Sequence, residues 1–449
     1  MQAAVNPAPI DVLILSNGPG EVLTWVRPVV QALRSQLGQD TAQVRISVIL
    51  SPCPHASGRE CDLVAGMQGV DRVQDPEAFW SFVRSGKTAQ VWDWRRKGVV
   101  LFLGGDQFFA VLIGKRLGYR IVTYAEWSAR WLRWIDACGA ARPQVMQGVA
   151  QRFQSKVHWV GDLIAEAQVI NADEASVLQQ LNLSPDVELV SLLPGSKAAK
   201  LCLGVPLGLA IADRLQQIRP QVQMVITVAP TLTLTDLSRF ADPQTNPYFE
   251  AVEGSRAKLC QPDSGLPYLQ TEQGTRVLLW TQVPAYDALA ASRLCITTVG
   301  ANTAELTALA VPMVVLLPTQ QLDIMRAWDG IPGLLANLPF LGSGFAKLIN
   351  AWVLRQGLGL RAWPNIWAGR EIVPEWVGHL RPDTVGDRIA ALLADPSALH
   401  HIQSELQHIR SQPGAAQRFA SLVHSVLPAD LTQPGMHTPP PVSLNSEKP

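Results

Sequence analysis

Apolar residues in this chain fall in short unbroken runs, each closed by glycine or small polar residues and followed by helical spacing. Residues 11–16 (DVLILS) form the first run, which stops at Asn17-Gly18-Pro19-Gly20 and leads into a helical pattern over 21–37. Residues 44–51 form a second. A third, 99–103 (VVLFL), ends at Gly104-Gly105-Asp106 before a helix through about Leu117. Residues 120–124 and 157–160 add two more. Apolar strands alternating with helices predict a parallel sheet covered on both faces.

Residues 165–185 read as helical and polar, and then the pattern restarts. Residues 187–193 (VELVSLL) run into Pro194-Gly195-Ser196-Lys197, and 223–228, 276–280, 294–298 and 312–317 supply four further strands. Two such units in tandem predict an α/β protein of two Rossmann-like domains with parallel sheets facing a central cleft. Ligands then sit beyond the carboxyl ends of the strands. The first domain is expected over 11–165, after a flexible 1–10, and the second over 166–375. Residues 429–449, with Pro-Pro-Pro and no apolar periodicity, read as a disordered tail.

Composition narrows the classes. Of 449 residues, 47% are apolar, which excludes wholesale disorder. Only 16% are charged, against about 25% in typical soluble domains. The 37 Lys+Arg balance 37 Asp+Glu, which argues against a dedicated nucleic-acid binder. The longest apolar stretches are short or broken by Asp106 or Pro312, and a membrane span needs about 20 residues. No signal peptide is expected from the N-terminal residues. Six cysteines without a C-x-x-C pair read as reduced thiols in a cytoplasmic protein, and the eight histidines do not join them at ligand spacing, so no metal is expected.

Neutrality hides an asymmetry. Residues 1–165 hold 18 basic and 13 acidic residues; residues 166–449 hold 19 and 24. The segment 84–133 carries ten basic residues against three acidic, with Trp92, Trp94, Trp127 and Trp131 inside it and Trp134 adjacent. Basic residues among tryptophans suit an anionic membrane surface. An ordinary solvated face beside core tryptophans is the plainer reading.

Two loops carry candidate chemistry. Gly195, Ser196 and Lys197 open a helix after a strand, so free N–H groups, the positive end of the helix dipole and an ammonium meet an anion. The Walker spacing is absent, which leaves a P-loop ATPase unsupported. In Thr297-Thr-Val-Gly-Ala-Asn-Thr-Ala-Glu305, Gly300 permits close approach and the next N–H groups bind phosphate, while Glu305 is spaced to accept ribose hydroxyls. The plainer reading makes Thr303 a cap and Glu305 a first-turn acid. Together the loops point to a nucleotide diphosphate.

These residues resemble the lipid-A-disaccharide synthase family of GT-B glycosyltransferases. Residues 192–197 (LLPGSK) are similar to its L-P-G-S-R, and 298–312 to its S-G-T-A-T-L-E…P segment. Residues 363–375 (WPNIWAGREIVPE) are similar to its L-P-N-x-x-x-G-x-x-x-V-P-E signature. The likeness covers about 11–400 and strengthens from 187 onward. It implies a metal-independent, inverting transfer from UDP-diacylglucosamine to a diacylglucosamine 1-phosphate. Gly195, Ser196 and Lys197 would hold the pyrophosphate; Gly300, Asn302, Thr303 and Glu305 the phosphate and ribose. Asn365 and Arg370 would close the donor site, and helices over 376–428 would cross back to the first domain. Lys197 replaces the family's Arg, keeping charge and losing the bidentate fork.

The N-terminal half departs further. The family's S-G-E-x-S-G-D appears as Ser16-Asn17-Gly18-Pro19-Gly20-Glu21, an expected acceptor loop. Its D-x-P-D-F-N appears as 104–109, which puts Asp106 where the family has the aspartate proposed as general base. Capping of the following helix is the plainer role for Asp106. Trp127, Trp131 and Trp134, with Arg130 alongside, have the spacing of one helical face, suited to a bilayer or an acyl chain or, more commonly, to core packing. A UDP-sugar, a lipid acceptor and peripheral contact with an anionic membrane are the expected partners, and no nucleic acid. A UDP-N-acetylglucosamine 2-epimerase-like enzyme and a non-catalytic sugar-nucleotide or lipid-binding protein remain as alternatives.

Overall fold

The computed structural model describes residues 8–53, 56, 58–168, 170–320 and 359–427. The expected tail at 429–449 and most of 1–10 lie outside them.

The first sheet contains β1 (Ile10–Ser16), β2 (Val44–Leu50), β3 (Arg72–Gln74), β4 (Lys97–Phe102), β5 (Arg120–Ala125), β6 (Ala137–Ala140) and β7 (Val157–Trp159). All are parallel, in the order β3-β2-β1-β4-β5-β6-β7. This is the Rossmann order extended by one strand. Alternate residues of β1 enter different cores, Val12 and Ile14 on one face and Leu13 and Leu15 on the other. Burial on both sides is why the run is continuously apolar.

The second sheet contains β8 (Glu188–Leu193), β9 (Val222–Thr227), β10 (Ala257–Cys260), β11 (Tyr268–Thr271), β12 (Arg276–Trp280), β13 (Leu294–Thr297), β14 (Met313–Pro318) and β15 (Glu375–Gly378). Its parallel part, β12-β9-β8-β13-β14-β15, repeats the Rossmann order from β8, and β10 and β11 add an antiparallel edge. The two-domain Rossmann-like α/β arrangement expected from the pattern is therefore present.

Eight helices matter below: α1 (Arg27–Leu37), α2 (Phe79–Ser85), α3 (Gln107–Leu117), α4 (Ala198–Ile218), α5 (Ala301–Leu309), α6 (Trp363–Ala368), α7 (Pro396–Ile409) and α8 (Ala415–Val426). The helical pattern from 21 holds, with a π-helical stretch over Val22–Val26 before α1. The expected helix over 165–185 divides into a 3-10 segment Leu163–Gln168 and a helix Glu174–Gln180. At the C-terminus, α8 packs on α1 and buries Phe419 and Val423 in the first domain's core.

Candidate functional site

Glycine turns end both sheets at the carboxyl edges of their strands, and the two edges meet. After β1, a Cβ on Gly18 would lie 2.6 Å from Glu21 Oε2, so this carboxylate folds back over its own turn. After β4, Gly104 and Gly105 adopt φ of 134° and 92°. A Cβ on Gly104 would lie 2.8 Å from Asn17 Oδ1, so glycine is needed for this approach. Gly20 faces the second domain, where its Cβ position is 3.7 Å from that of Ala301.

Across this contact lie the β8 and β13 turns. Gly195 has φ 100° and Gly300 φ 149°. Ser196 is half-buried. Lys197 is the residue preceding α4; burial lowers its pKa, and attraction to Cys53 and Glu21 of the first domain opposes that. Lys200, one turn on, is more buried. Its ammonium donates to Val299 O and lies 3.0 Å from where a Gly300 Cβ would be. Burial and repulsion from Lys197 bring its pKa down to about 8. Glu305 accepts from the Tyr286 hydroxyl at 3.2 Å, and Arg27 of α1 stands over the Tyr286 ring at 5.6 Å. Burial raises the Glu305 carboxyl to about 7. Asn302 is half-exposed.

A second cross-domain contact flanks the first. Trp127 stacks on Trp363 of α6 with centroids 5.4 Å apart, and Trp363 stacks on Trp367 at 6.0 Å. The Arg142 guanidinium lies 5.8 Å from Trp127 and 4.3 Å from Trp367. It also pairs with the buried Asp162 at 3.3 Å. Beside this clasp, at the carboxyl end of β5, sits Glu126. Burial raises its pKa to about 7, with Asp162 and Glu21 adding repulsion and Arg142 opposing it.

Several of the expected site residues make structural bonds. Asp106 is exposed, and its Oδ1 accepts from Phe108 N at 2.9 Å, so it caps α3. Thr303 Oγ1 donates to Gly300 O at 2.9 Å and accepts from Trp363 N at 3.2 Å, which ties α5 to α6. Asn365 is wholly buried. Its amide donates to Val373 O and Glu375 Oε1, and its oxygen accepts from Ile372 N and Val373 N. Glu375 also accepts from Arg361 N and Ala362 N. The 363–375 motif thus knots its own loop together. Arg370 pairs with Glu405 of α7 on an exposed flank.

Trp127, Trp131 and Trp134 share no helical face. The segment 126–136 is irregular and Trp131 has φ 58°; it hangs from α3 through Gln107, which donates to Ser128 O and accepts from Arg130 N. Trp131 and Trp134 are nonetheless exposed, 37% and 43%. They continue through Phe108 and Phe109 to Trp80 of α2, with successive ring centroids 5.1–6.0 Å apart. Trp92 and Trp94 do not join them: both lie on the Arg72 guanidinium.

Lys200, Glu126 and Arg142 escaped the sequence analysis, and Trp363 and Trp367 entered it only as parts of the 363–375 motif. Of the first three, Lys200 left a local signal, since a lysine in a helix's first turn opposes the dipole.

Two parallel α/β domains meeting through the carboxyl-edge turns of both sheets define the class of protein. No family model matches the chain. It is similar to the lipid-A-disaccharide synthase of Syntrophus aciditrophicus, 25% identical over 278 residues, 60% of this chain and 58% of that protein. The Myxococcus xanthus lipid-A-disaccharide synthase is also 25% identical, over 287 residues, 63% of this chain and 58% of that protein. The chain thus spans less than two thirds of the length of these relatives. Among solved structures, a UDP-N-acetylglucosamine 2-epimerase from Neisseria meningitidis bound to UDP-GlcNAc is similar at 13% identity. The match covers 93% of this chain and 98% of that one, with a TM-score of 0.49.

Proposed function

We propose that the chain is a glycosyltransferase moving a sugar from a UDP-linked donor to a lipid or lipid-like acceptor at a membrane surface. The carrying observation is that Lys197 and Lys200 lie at two glycine turns, with Glu21 of the other domain attracting Lys197. Diphosphate departure needs positive charge, and two lysines supply it without a metal. The lipid-A-disaccharide synthase relatives favour this reaction class. An acceptor hydroxyl must lose its proton as it attacks, and Glu126 suits that task better than Asp106: a base works best with a pKa near the working pH, and Glu126 stands at about 7. Among the described residues no helix is long and apolar enough to cross a membrane, so the exposed aromatic ridge would meet the bilayer peripherally.

A panel of UDP-sugars tests the reading by thermal shift, since a ligand at 100 times its Kd adds about 2.7 kcal/mol. A stabilising donor is then incubated with lipid extract. Product should form with wild type and fall about 100-fold or more in Glu126→Gln, while Asp106→Asn retains turnover. Reversal of the two variants returns the base role to Asp106. Epimerised UDP-N-acetylglucosamine without acceptor, seen by NMR, would replace transfer with epimerisation, and no response to any UDP-sugar would overturn the donor site.

A further inference from the structure

Helix starts favour acids, because the dipole and free N–H groups present positive charge there. The 21-residue α4 has no acid in its first turn; Lys197 immediately precedes it and Lys200 lies within that turn. Lys200 is the more unusual. Its stem passes under the β8 turn, where a Cβ on Gly195 would meet Lys200 Cδ at 2.9 Å. Its ammonium reaches the β13 turn at Val299 O. Burial and Lys197 both oppose its charge, and no carboxylate among the described residues offsets them. Arg219 and Arg45, also half-buried, have acids beside them, Glu188 and Asp11. A cation placed at such a cost between two glycine turns is arranged for an anion that arrives with a ligand.

We propose that Lys200 is the second cationic arm of the diphosphate cradle, so that the site selects a nucleoside diphosphate over a monophosphate. This rests on the UDP-donor reading above. Lys197 approaches from the first-domain side and Lys200 from between the turns. In transfer, the bond from the sugar's anomeric carbon to the β-phosphate oxygen breaks and its electron pair stays on that oxygen. The acceptor oxygen forms the new bond and its proton passes to the carboxylate base. Lys200 would balance the charge gained by the departing diphosphate.

A strut that merely holds Val299 in place is the competing role. Lys200→Met keeps the stem and removes the charge; Lys200→Gln keeps a donor for Val299 O without the charge. Calorimetric titration with UDP, UMP and uridine, beside the ligand-free Tm, separates the roles. In both variants UDP should bind about tenfold or more weakly, with uridine unchanged, a lowered UDP-to-UMP preference and a ligand-free Tm equal to or above wild type. Wild-type UDP affinity in Lys200→Gln, or in a Lys200→Met protein of lowered Tm, would overturn the proposal and make Lys200 a strut. A wild-type protein that binds none of the three ligands fails earlier, at the UDP reading, and takes this proposal with it.

Discussion

Burial is costly for an ionised side chain, and three at the cleft carry that cost openly. Lys200 stands at about 8 against an ordinary 10.5, and Glu126 and Glu305 at about 7 against 4.5. Between pH 8 and 10.5 the unfolded chain holds a proton that folded Lys200 has lost, so stability rises with pH there. Between pH 4.5 and 7 the two folded glutamates hold protons that the unfolded chain has lost, so stability falls as pH rises. Denaturant titration of the ligand-free protein should show greater stability at pH 9.5 than at pH 7.5, by up to about 2 kcal/mol. Lys200→Met should flatten that rise; an unchanged slope would mean Lys200 titrates normally. At this scale Gly195, Lys197 and Gly300 were legible, because turn glycines and helix starts are local features. Glu126 was not, since Asp162, Glu21 and Arg142 come to it from remote parts of the chain.

Whole strands were legible wherever both faces are buried, as in β1, β4, β8 and β13. β3 (RVQ), β6 (ACGA), β10 (AKLC), β11 (YLQT) and β15 (EWVG) lack an unbroken run of large apolar residues, and so left no pattern. Spacing misled at Trp127, Trp131 and Trp134, because Trp131 takes a left-handed conformation that no helix continues through. The 363–375 motif carried a family resemblance without disclosing its mechanics, which are side-chain bonds closing a loop. Asn365→Ala should therefore destabilise the protein by about 2–4 kcal/mol in denaturant, since it strips the side-chain partner from two buried N–H groups and from Glu375. If it instead left stability intact and weakened UDP binding, Asn365 would belong to the donor site.

For the whole molecule, net zero charge is a sum over two halves of opposite excess, basic over 1–165 and acidic over 166–449. The first domain's basic excess is itself divided. Arg45, Arg72 and Arg95 gather around the buried Asp11 near the amino end of β1, away from the cleft. Arg130 and Arg133 are exposed beside Trp131 and Trp134. Sedimentation with vesicles should show binding that needs anionic lipid and weakens with salt, each surface cation adding about 1 kcal/mol. A Trp131→Ser, Trp134→Ser double variant should lose most of it and keep its fold. Binding indifferent to lipid charge and to both tryptophans would remove the ridge as a membrane contact.

The sequence alone determined the alternation of strand and helix, the two-domain architecture, and the glycine turns that open α4 and α5. Hydrophobic periodicity and turn chemistry are local, and they repeat often enough here to be read. Tertiary structure alone decided which polar groups are spent on the fold and which stay available. Asn365, Thr303 and Asp106 satisfy backbone groups, whereas Lys200 is buried beside Lys197, and Glu126 beside Asp162 and Glu21 with Arg142 only partly opposing them. That division depends on how far each group is removed from water and on which charges remote segments bring beside it, and neither is written in the spacing of residues along the chain.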